Sequence, residues 1–85
     1  MTVTILYFAW LKQKIGVGRE DIDLPDEVRT VAGLISYLET RSPGHKSAFE
    51  RRDVIRAAVD QSFSKPESSI AGAREIAFFP PVTGG

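Results

Sequence analysis

The sequence contains no cysteine, no asparagine and only one histidine, His45. The lack of cysteine excludes a disulfide scaffold, a thiolate metal site and a cysteine nucleophile. A single histidine excludes a metal site built from several imidazoles. Without asparagine there is no N-glycosylation motif. The chain therefore offers little material for autonomous catalysis.

Charge excess and long hydrophobic runs are also missing. Eleven basic side chains balance eleven acidic ones. Binding nucleic acid in general needs net positive charge to displace counterions from phosphates, so we expect no nucleic-acid partner. The longest apolar run, Ile5 to Leu11, has seven residues, whereas a membrane span needs about twenty. The opening Met1-Thr2-Val3 has no signal-peptide pattern, and we expect a cytoplasmic chain without a membrane partner.

The length of 85 residues and the apolar content of 42% predict one small domain. A second core of useful size cannot form at this length. We place the folded domain at residues 1–79 and a projecting C-terminal tail at residues 80–85.

Apolar periodicity predicts four strands and one main helix. The segment from Thr2 to Ala9 is apolar on nearly both faces, which is typical of a central strand. Thr30 is suited to cap a helix with one apolar face, formed by Val31, Leu34, Ile35 and Leu38. The predicted strands are 2–9, 19–24, 54–59 and 75–79, the helices are 10–15, 31–40 and a short one at 46–52 capped through Ser47 and Glu50, and residues 62–73 form a polar, turn-rich segment.

The order strand, strand, helix, strand, strand favours an α+β fold with two layers. We expect a mixed sheet covered by one main helix, with the first and last strands parallel at its centre because both are apolar on both faces. This is the β-grasp arrangement of ubiquitin-like proteins.

Several single side chains carry open interpretations. Phe78 and Phe79 point to opposite faces of the last strand, so we expect one in the core and the other exposed as an anchor for a partner. The pattern does not say which is exposed. Trp10 and Tyr7 fit core packing as well as an interface. His45 follows a Ser-Pro-Gly break and is interpreted as solvated.

Charges are segregated along the chain. This segregation could steer a docking partner, and a solvated face explains it equally well. The acidic group contains Glu20, Asp21, Asp23, Asp26 and Glu27, and the later basic group contains Arg41, Lys46, Arg51, Arg52 and Arg56.

The C-terminal segment is a stiff arm with a slim tip. Pro80 and Pro81 lack backbone N–H groups and have fixed φ, so they end the last strand and keep the chain extended. Gly84 and Gly85 have no Cβ and can pass through a channel too narrow for other residues. A frayed terminus is the alternative for Gly-Gly alone. An uncharged tail that begins at two phenylalanines and keeps Val82 and Thr83 instead favours insertion into a partner.

These features resemble a known family. The opening Val3-Thr4-Ile5-Leu6-Tyr7-Phe8-Ala9, the strand segment Ala57-Ala58-Val59 and the closing Ala77-Phe78-Phe79-Pro80-Pro81-Val82-Thr83-Gly84-Gly85 are similar to the small subunits of molybdopterin synthase, which are ubiquitin-like sulfur carriers. The resemblance runs from end to end, and the closing motif is its most specific part.

The resemblance implies a group-carrier role. A ubiquitin-activating-like enzyme would use ATP to adenylate the Gly85 carboxylate, and a sulfur donor would convert it to a thiocarboxylate. The tail, with Gly84, Thr83, Val82, Pro81 and Pro80 threading into the large synthase subunit, would deliver sulfur to a cyclic pyranopterin precursor. The family implies a heterotetramer with that subunit, no permanently bound cofactor, and no catalysis by the small subunit alone.

The chain departs from the family pattern at two places, and three alternatives stay open. Asp60 stands where many members have asparagine, and Ala71-Gly72-Ala73-Arg74 replaces an acidic turn. The change at Asp60 affects a local hydrogen bond of the turn. The change at 71–74 alters the charge of the loop before the last strand. The alternatives are a sulfur carrier for another pathway such as thiamin thiazole synthesis, a ubiquitin-like modifier joined to lysines through Gly85, and a binding module whose tail never reacts.

Overall fold

The computed structural model describes residues 1–81. The expectations for Val82, Thr83, Gly84 and Gly85 therefore lie outside the described residues. Within residues 1–81, no helix is long and apolar enough to cross a membrane.

Five strands form one mixed sheet in the order β2-β1-β5-β3-β4. Strand β1 pairs with β5 in parallel, and the other neighbouring pairs are antiparallel. The expected central parallel pair and the ubiquitin-like β-grasp fold are confirmed. The elements are β1 (Thr2–Tyr7), α1 (Trp10–Ile15), β2 (Arg19–Asp23), α2 (Val31–Glu39), α3 (Pro43–Ala48), a single 3₁₀ turn (Arg52–Val54), β3 (Arg56–Val59), β4 (Ser62–Ser64) and β5 (Glu75–Phe79).

The core lies between one face of the sheet and the helices. The predicted apolar face of α2 is buried, and Thr30 caps the helix by accepting a hydrogen bond from the Gly33 N–H at 3.0 Å. From the sheet, the side chains of Tyr7 and Phe78 point into the same layer. Their rings contact that of Phe49 edge-on, at centroid distances of 6.4 and 5.1 Å. This aromatic row ties α3 to the two central strands.

The structure corrects the predicted third helix. It begins at Pro43 rather than Lys46, and its cap is Ser42, whose hydroxyl accepts a hydrogen bond from the His45 N–H. Pro43 was interpreted as part of a break, but proline is favoured at the first helical position because its missing N–H has no partner there. The predicted capping box of Ser47 and Glu50 is therefore wrong.

Helix α3 approaches α1 closely at Gly44. A Cβ built on Gly44 would lie 2.5 Å from the backbone oxygen of Lys14. A backbone atom cannot give way as a flexible side chain can, so only glycine permits this approach. The contact brings the start of α3 against the end of α1 and so places His45 above the sheet.

Candidate functional site

The C-terminal segment leaves the sheet from its central strand. Phe79, the last residue of β5, is paired with Arg56 at the start of β3. On the other side, the Phe8 N–H donates to the Phe78 carbonyl at 3.1 Å. Pro80 follows directly and is half-buried, while Pro81 is exposed. The chain is therefore held between two strands as far as Phe79.

The two phenylalanines have different surroundings, as expected. Phe78 is 0% exposed and belongs to the core, so it has no surface to offer a partner. Phe79 lies on the opposite face of the sheet and is half-buried. The structure thus decides a choice that alternation left open, because it shows which face the helices cover.

The uncovered face of the sheet is apolar near this exit point. The register places Leu6 beside Ala77, Ala77 beside Ala58, and Ala58 beside Phe63. Side chains paired across strands point to the same face. We call this surface the outer apolar face, and it consists of Leu6, Phe8, Ala58, Phe63, Ala77 and Phe79.

Phe63 is the most exposed aromatic of this face, and the sequence analysis missed it. Its side chain is 82% exposed, and its ring lies 5.8 Å from that of Phe79. It sits in β4, within the segment that was predicted to be only turns, so that prediction is wrong for residues 62–64. The signal that could have found it is the alternation Ser62-Phe63-Ser64 two residues after a strand, a spacing typical of a β-hairpin.

Asp60 holds this hairpin in place. Asp60 and Gln61 have φ of 49° and 71°, the left-handed conformation of a two-residue hairpin turn. The Asp60 carboxylate oxygen Oδ1 accepts hydrogen bonds from the backbone N–H groups of Arg74 and Glu75, both at 3.0 Å. The turn hydrogen bond that the departure from asparagine placed in question is therefore present. It ties the hairpin that carries Phe63 to the start of β5.

A partly buried polar cluster lies on the face of the sheet that the helices cover. The Tyr7 hydroxyl donates to Glu20 Oε2 at 2.7 Å, and His45 Nε2 lies 2.8 Å from the same oxygen. Because a carboxylate only accepts, the proton between His45 and Glu20 lies on Nε2, and the Ser42 hydroxyl lies 2.7 Å from Nδ1. Arg41 completes the surroundings of Glu20, with Nη2 3.8 Å from Oε1.

His45 is consequently not solvated, and its interpretation as such is wrong. Its side chain is buried, with 6% of the residue's surface exposed. A loop histidine after Ser-Pro-Gly gives no local sign of burial, because its partner Glu20 is 25 residues away in the sequence. The fold alone brings the two together.

The described residues offer no metal centre. Within residues 1–81, no group of three or more histidine, aspartate and glutamate side chains is placed to hold a metal ion. What the described geometry provides is a central strand from which the chain continues beyond Pro81, with an apolar face beside it.

Comparison with known proteins agrees with these features. The chain matches the ThiS family over residues 5–85. It is 34% identical to the molybdopterin synthase sulfur carrier subunit of Haemophilus influenzae, covering 98% of this chain and 99% of that protein. It is also 34% identical to the subunit of the same name from Homo sapiens, covering 98% of this chain and 93% of that protein.

A solved structure supports the fold. SAMP1 from Haloferax volcanii superposes with a TM-score of 0.72 at 26% identity, with 100% of each chain covered. Since the family match spans nearly the whole sequence and includes the closing Gly-Gly, the chain belongs to the ThiS family.

Proposed function

We propose that this chain is the sulfur carrier subunit of a molybdopterin synthase and that Gly85 bears the transferred sulfur. The observation that carries the proposal is the end of β5, which lies beside an exposed apolar face and is followed in the sequence by Pro80, Pro81 and a closing Gly-Gly. Two relatives that match nearly the full length are named molybdopterin synthase sulfur carrier subunit. These near-full-length relatives favour this role over a thiazole carrier, a protein modifier or an inert binding module.

The chemistry begins with activation of a carboxylate. The Gly85 carboxylate is a poor electrophile, because its charge repels nucleophiles and its leaving group is oxide. In the proposed first step a carboxylate oxygen attacks the α-phosphate of ATP on an activating enzyme, forms an acyl adenylate and releases pyrophosphate. A sulfide-equivalent donor then attacks the acyl carbon and displaces AMP, which leaves a thiocarboxylate.

The second stage moves the sulfur to its acceptor. The thiocarboxylate sulfur is a nucleophile at the end of the tail. Carrying a reactive group in this way is a role that cofactors usually have. With Val82, Thr83 and Gly84 threaded into the large subunit, the sulfur would attack a carbon of the cyclic pyranopterin precursor, displace an oxygen leaving group from that carbon and form a thioester. Hydrolysis of the thioester then returns the Gly85 carboxylate and leaves the sulfur on the pterin as a thiol. In this scheme the chain supplies a reacting group, and its partners supply ATP use and acid–base chemistry.

The outer apolar face gives the proposed partner a docking surface. Exposed apolar patches on small proteins mark interaction sites, and aromatic side chains dominate their binding energy. Phe63 and Phe79 contact each other on this face and lie beside the exit of the tail. A subunit that covers this pair would bring its own channel close to Pro80.

The absence of cysteine makes the central test direct. The chain is incubated with ATP, the activating enzyme and sulfide, then treated with a thiol-alkylating reagent and mapped by tandem mass spectrometry. We expect one ATP-dependent adduct at Gly85, which can only be a thiocarboxylate because no side-chain thiol exists. Omission of ATP is the control. Adenylation without an adduct would support a protein modifier, and an unreactive tail would support a binding module.

Replacement of Phe63 tests the docking surface. We expect Phe63→Ser to weaken affinity for the large subunit by about 30-fold, or about 2 kcal/mol, as for an aromatic anchor. Because the ring is 82% exposed in the free chain, thermal stability should change little. Phe63→Leu, which keeps an apolar side chain, is the matched control. Equal affinity of the serine variant and the unmodified chain in titration calorimetry would exclude Phe63 from the interface.

A further inference from the structure

The two ends of the sheet carry opposite charge, although the chain as a whole is neutral. We call the end where β1 and β5 finish and β3 begins the tail end, and the opposite end the far end. The strand register shows which residues lie at each end. Arg56 pairs with Phe79 at the tail end, and Asp23 pairs with Thr2 at the far end. Helix α1 and the 3₁₀ turn lie at the tail end, since one follows β1 and the other precedes β3.

Unpaired cations predominate at the tail end. Arg52 there is paired with Glu39 and Arg41 with Glu20. The ion pairs found within residues 1–81 include none of the four cations Lys12, Lys14, Arg51 and Arg56, and neither of the two carboxylates Glu50 and Asp53.

Lys14 and Arg51 share a groove with an aromatic side chain. The groove is lined by Trp10, Lys14, Ser47, Glu50, Arg51 and Val54. The Lys14 ammonium lies 5.9 Å from the centre of the Trp10 ring. This groove belongs to the helical side of the tail end, apart from the outer apolar face, so Lys14 and Arg51 lie on one side of the tail end, and Arg56 pairs with Phe79 on the other.

Unpaired carboxylates predominate at the far end. Asp23 there is paired with the N-terminal ammonium. The ion pairs found within residues 1–81 include none of the other charged side chains at this end. These are four carboxylates and two cations, namely Asp26, Glu27, Asp60 and Glu75, and Arg29 and Arg74. The remaining unpaired groups do not change this contrast: Lys65 and Glu67 follow β4 together, and Lys46 lines a groove with Glu39 and Glu50.

The distance between the ends lets each act separately. A strand of five or six residues spans roughly 16–20 Å, about twice the screening length of roughly 8 Å at physiological ionic strength. A partner that approaches the tail end therefore meets a positive surface rather than a neutral one. Such a surface speeds association with a negative partner and sets its orientation.

We propose that the tail end docks against acidic side chains that border the opening through which the large subunit admits the tail. This inference rests on the proposed function and adds the charge of the partner surface. The negative Gly85 carboxylate does not conflict with an acidic border. The cations lie at the base of the tail, and in the proposed threaded state six extended residues would separate that base from the terminal carboxylate by roughly 19 Å.

Charge reversals at the two ends test the inference. The double variant Lys14→Glu/Arg51→Glu and the matched control Arg29→Glu/Arg74→Glu change the net charge equally, and all four side chains are exposed. We expect the tail-end variant to associate about fivefold more slowly with the purified large subunit at about 0.15 M salt, where the screening length of roughly 8 Å keeps the two ends independent. The control should change by less than about twofold, and the difference should vanish near 0.5 M salt.

Stopped-flow association kinetics separate failure of this inference from failure of the proposed function. Equal rates for the two variants, or a difference that persists at high salt, would overturn the inference alone, provided that the unmodified chain binds. Absence of binding by the unmodified chain would overturn the proposed function and the inference with it.

Discussion

Removal of Gly84 and Gly85 is expected to abolish sulfur transfer by this chain. The proposed reacting group is the carboxylate of Gly85, and after the deletion the carboxylate would lie on Thr83, two residues short of its place in the partner. We expect transfer to the pyranopterin precursor to fall below about 0.1% of the unmodified rate, a barrier increase of at least about 4 kcal/mol. The measurement is single-turnover product formation with the large subunit.

The deletion should leave the folded domain unaffected. The core and the sheet lie within residues 1–79, so the thermal unfolding midpoint should be unchanged. Thr83→Ser keeps the length of the tail and is the matched control with near-normal transfer. Full activity of the deletion variant would mean that the tail does not react, and the binding-module alternative would then be the better account.

Glu20→Ala is expected to cause a large loss of stability. It leaves the Tyr7 hydroxyl and His45 Nε2 without their shared acceptor. Each buried group without a partner costs about 1–3 kcal/mol, so the free energy of unfolding should fall by about 3 kcal/mol. For a domain of this length that is a large share of the total. Urea unfolding followed by circular dichroism measures the change.

Two controls assign the loss to the cluster. Glu20→Gln keeps one oxygen that can accept both hydrogen bonds and removes only the charge, so we expect a smaller loss of about 1 kcal/mol. Glu67→Ala removes an exposed carboxylate and should change stability by less than about 0.5 kcal/mol. A Glu20→Ala variant as stable as Glu67→Ala would show that the cluster contributes nothing.

The same cluster makes stability depend on pH in a defined direction. Burial acts to raise the pKa of Glu20, but hydrogen bonds from His45 and Tyr7, with the charges of His45 and Arg41, outweigh it and hold the pKa below its ordinary value of 4.5. A lowered pKa in the folded state stabilises the fold above pH 4.5, and this contribution is lost as the pH falls through the folded pKa. Unfolding free energies of Glu20→Gln should therefore fall less steeply than those of the unmodified chain below pH 4.5.

Tyr7 produces the opposite dependence in alkali. Burial, and then the hydrogen bond to Glu20 and its negative charge, raise the pKa of the Tyr7 hydroxyl well above its ordinary value of 10.0. The folded state therefore keeps the proton while the unfolded state loses it. The contribution of Tyr7 to the free energy of unfolding is therefore complete below pH 10. It declines above pH 10, because ionisation of the tyrosine then favours the unfolded chain.

Local periodicity determined most of the fold. Alternation over β1 and β5 and the 3.6-residue repeat of α2 depend on neighbours within a few residues, so sequence alone predicted their positions to within about two residues at each end. The end of β5 before Pro80 was equally predictable, because φ restriction and missing N–H groups are properties of proline itself. The same local reasoning misplaced α3, where Pro43 begins a helix instead of ending one.

The tertiary structure decided everything that depends on residues far apart in the chain. Periodicity says that a side chain points inward or outward, but it cannot say which face the helices cover or what each side chain meets. Phe63 in β4 reaches Phe79 in β5 across the intervening strand β3, His45 finds Glu20 from 25 residues away, and Lys14 joins Arg51 in one groove. The sequence therefore determined most of the elements, whereas chain folding determined the apolar face and the charge at the end of β5, because both are assembled from separate elements.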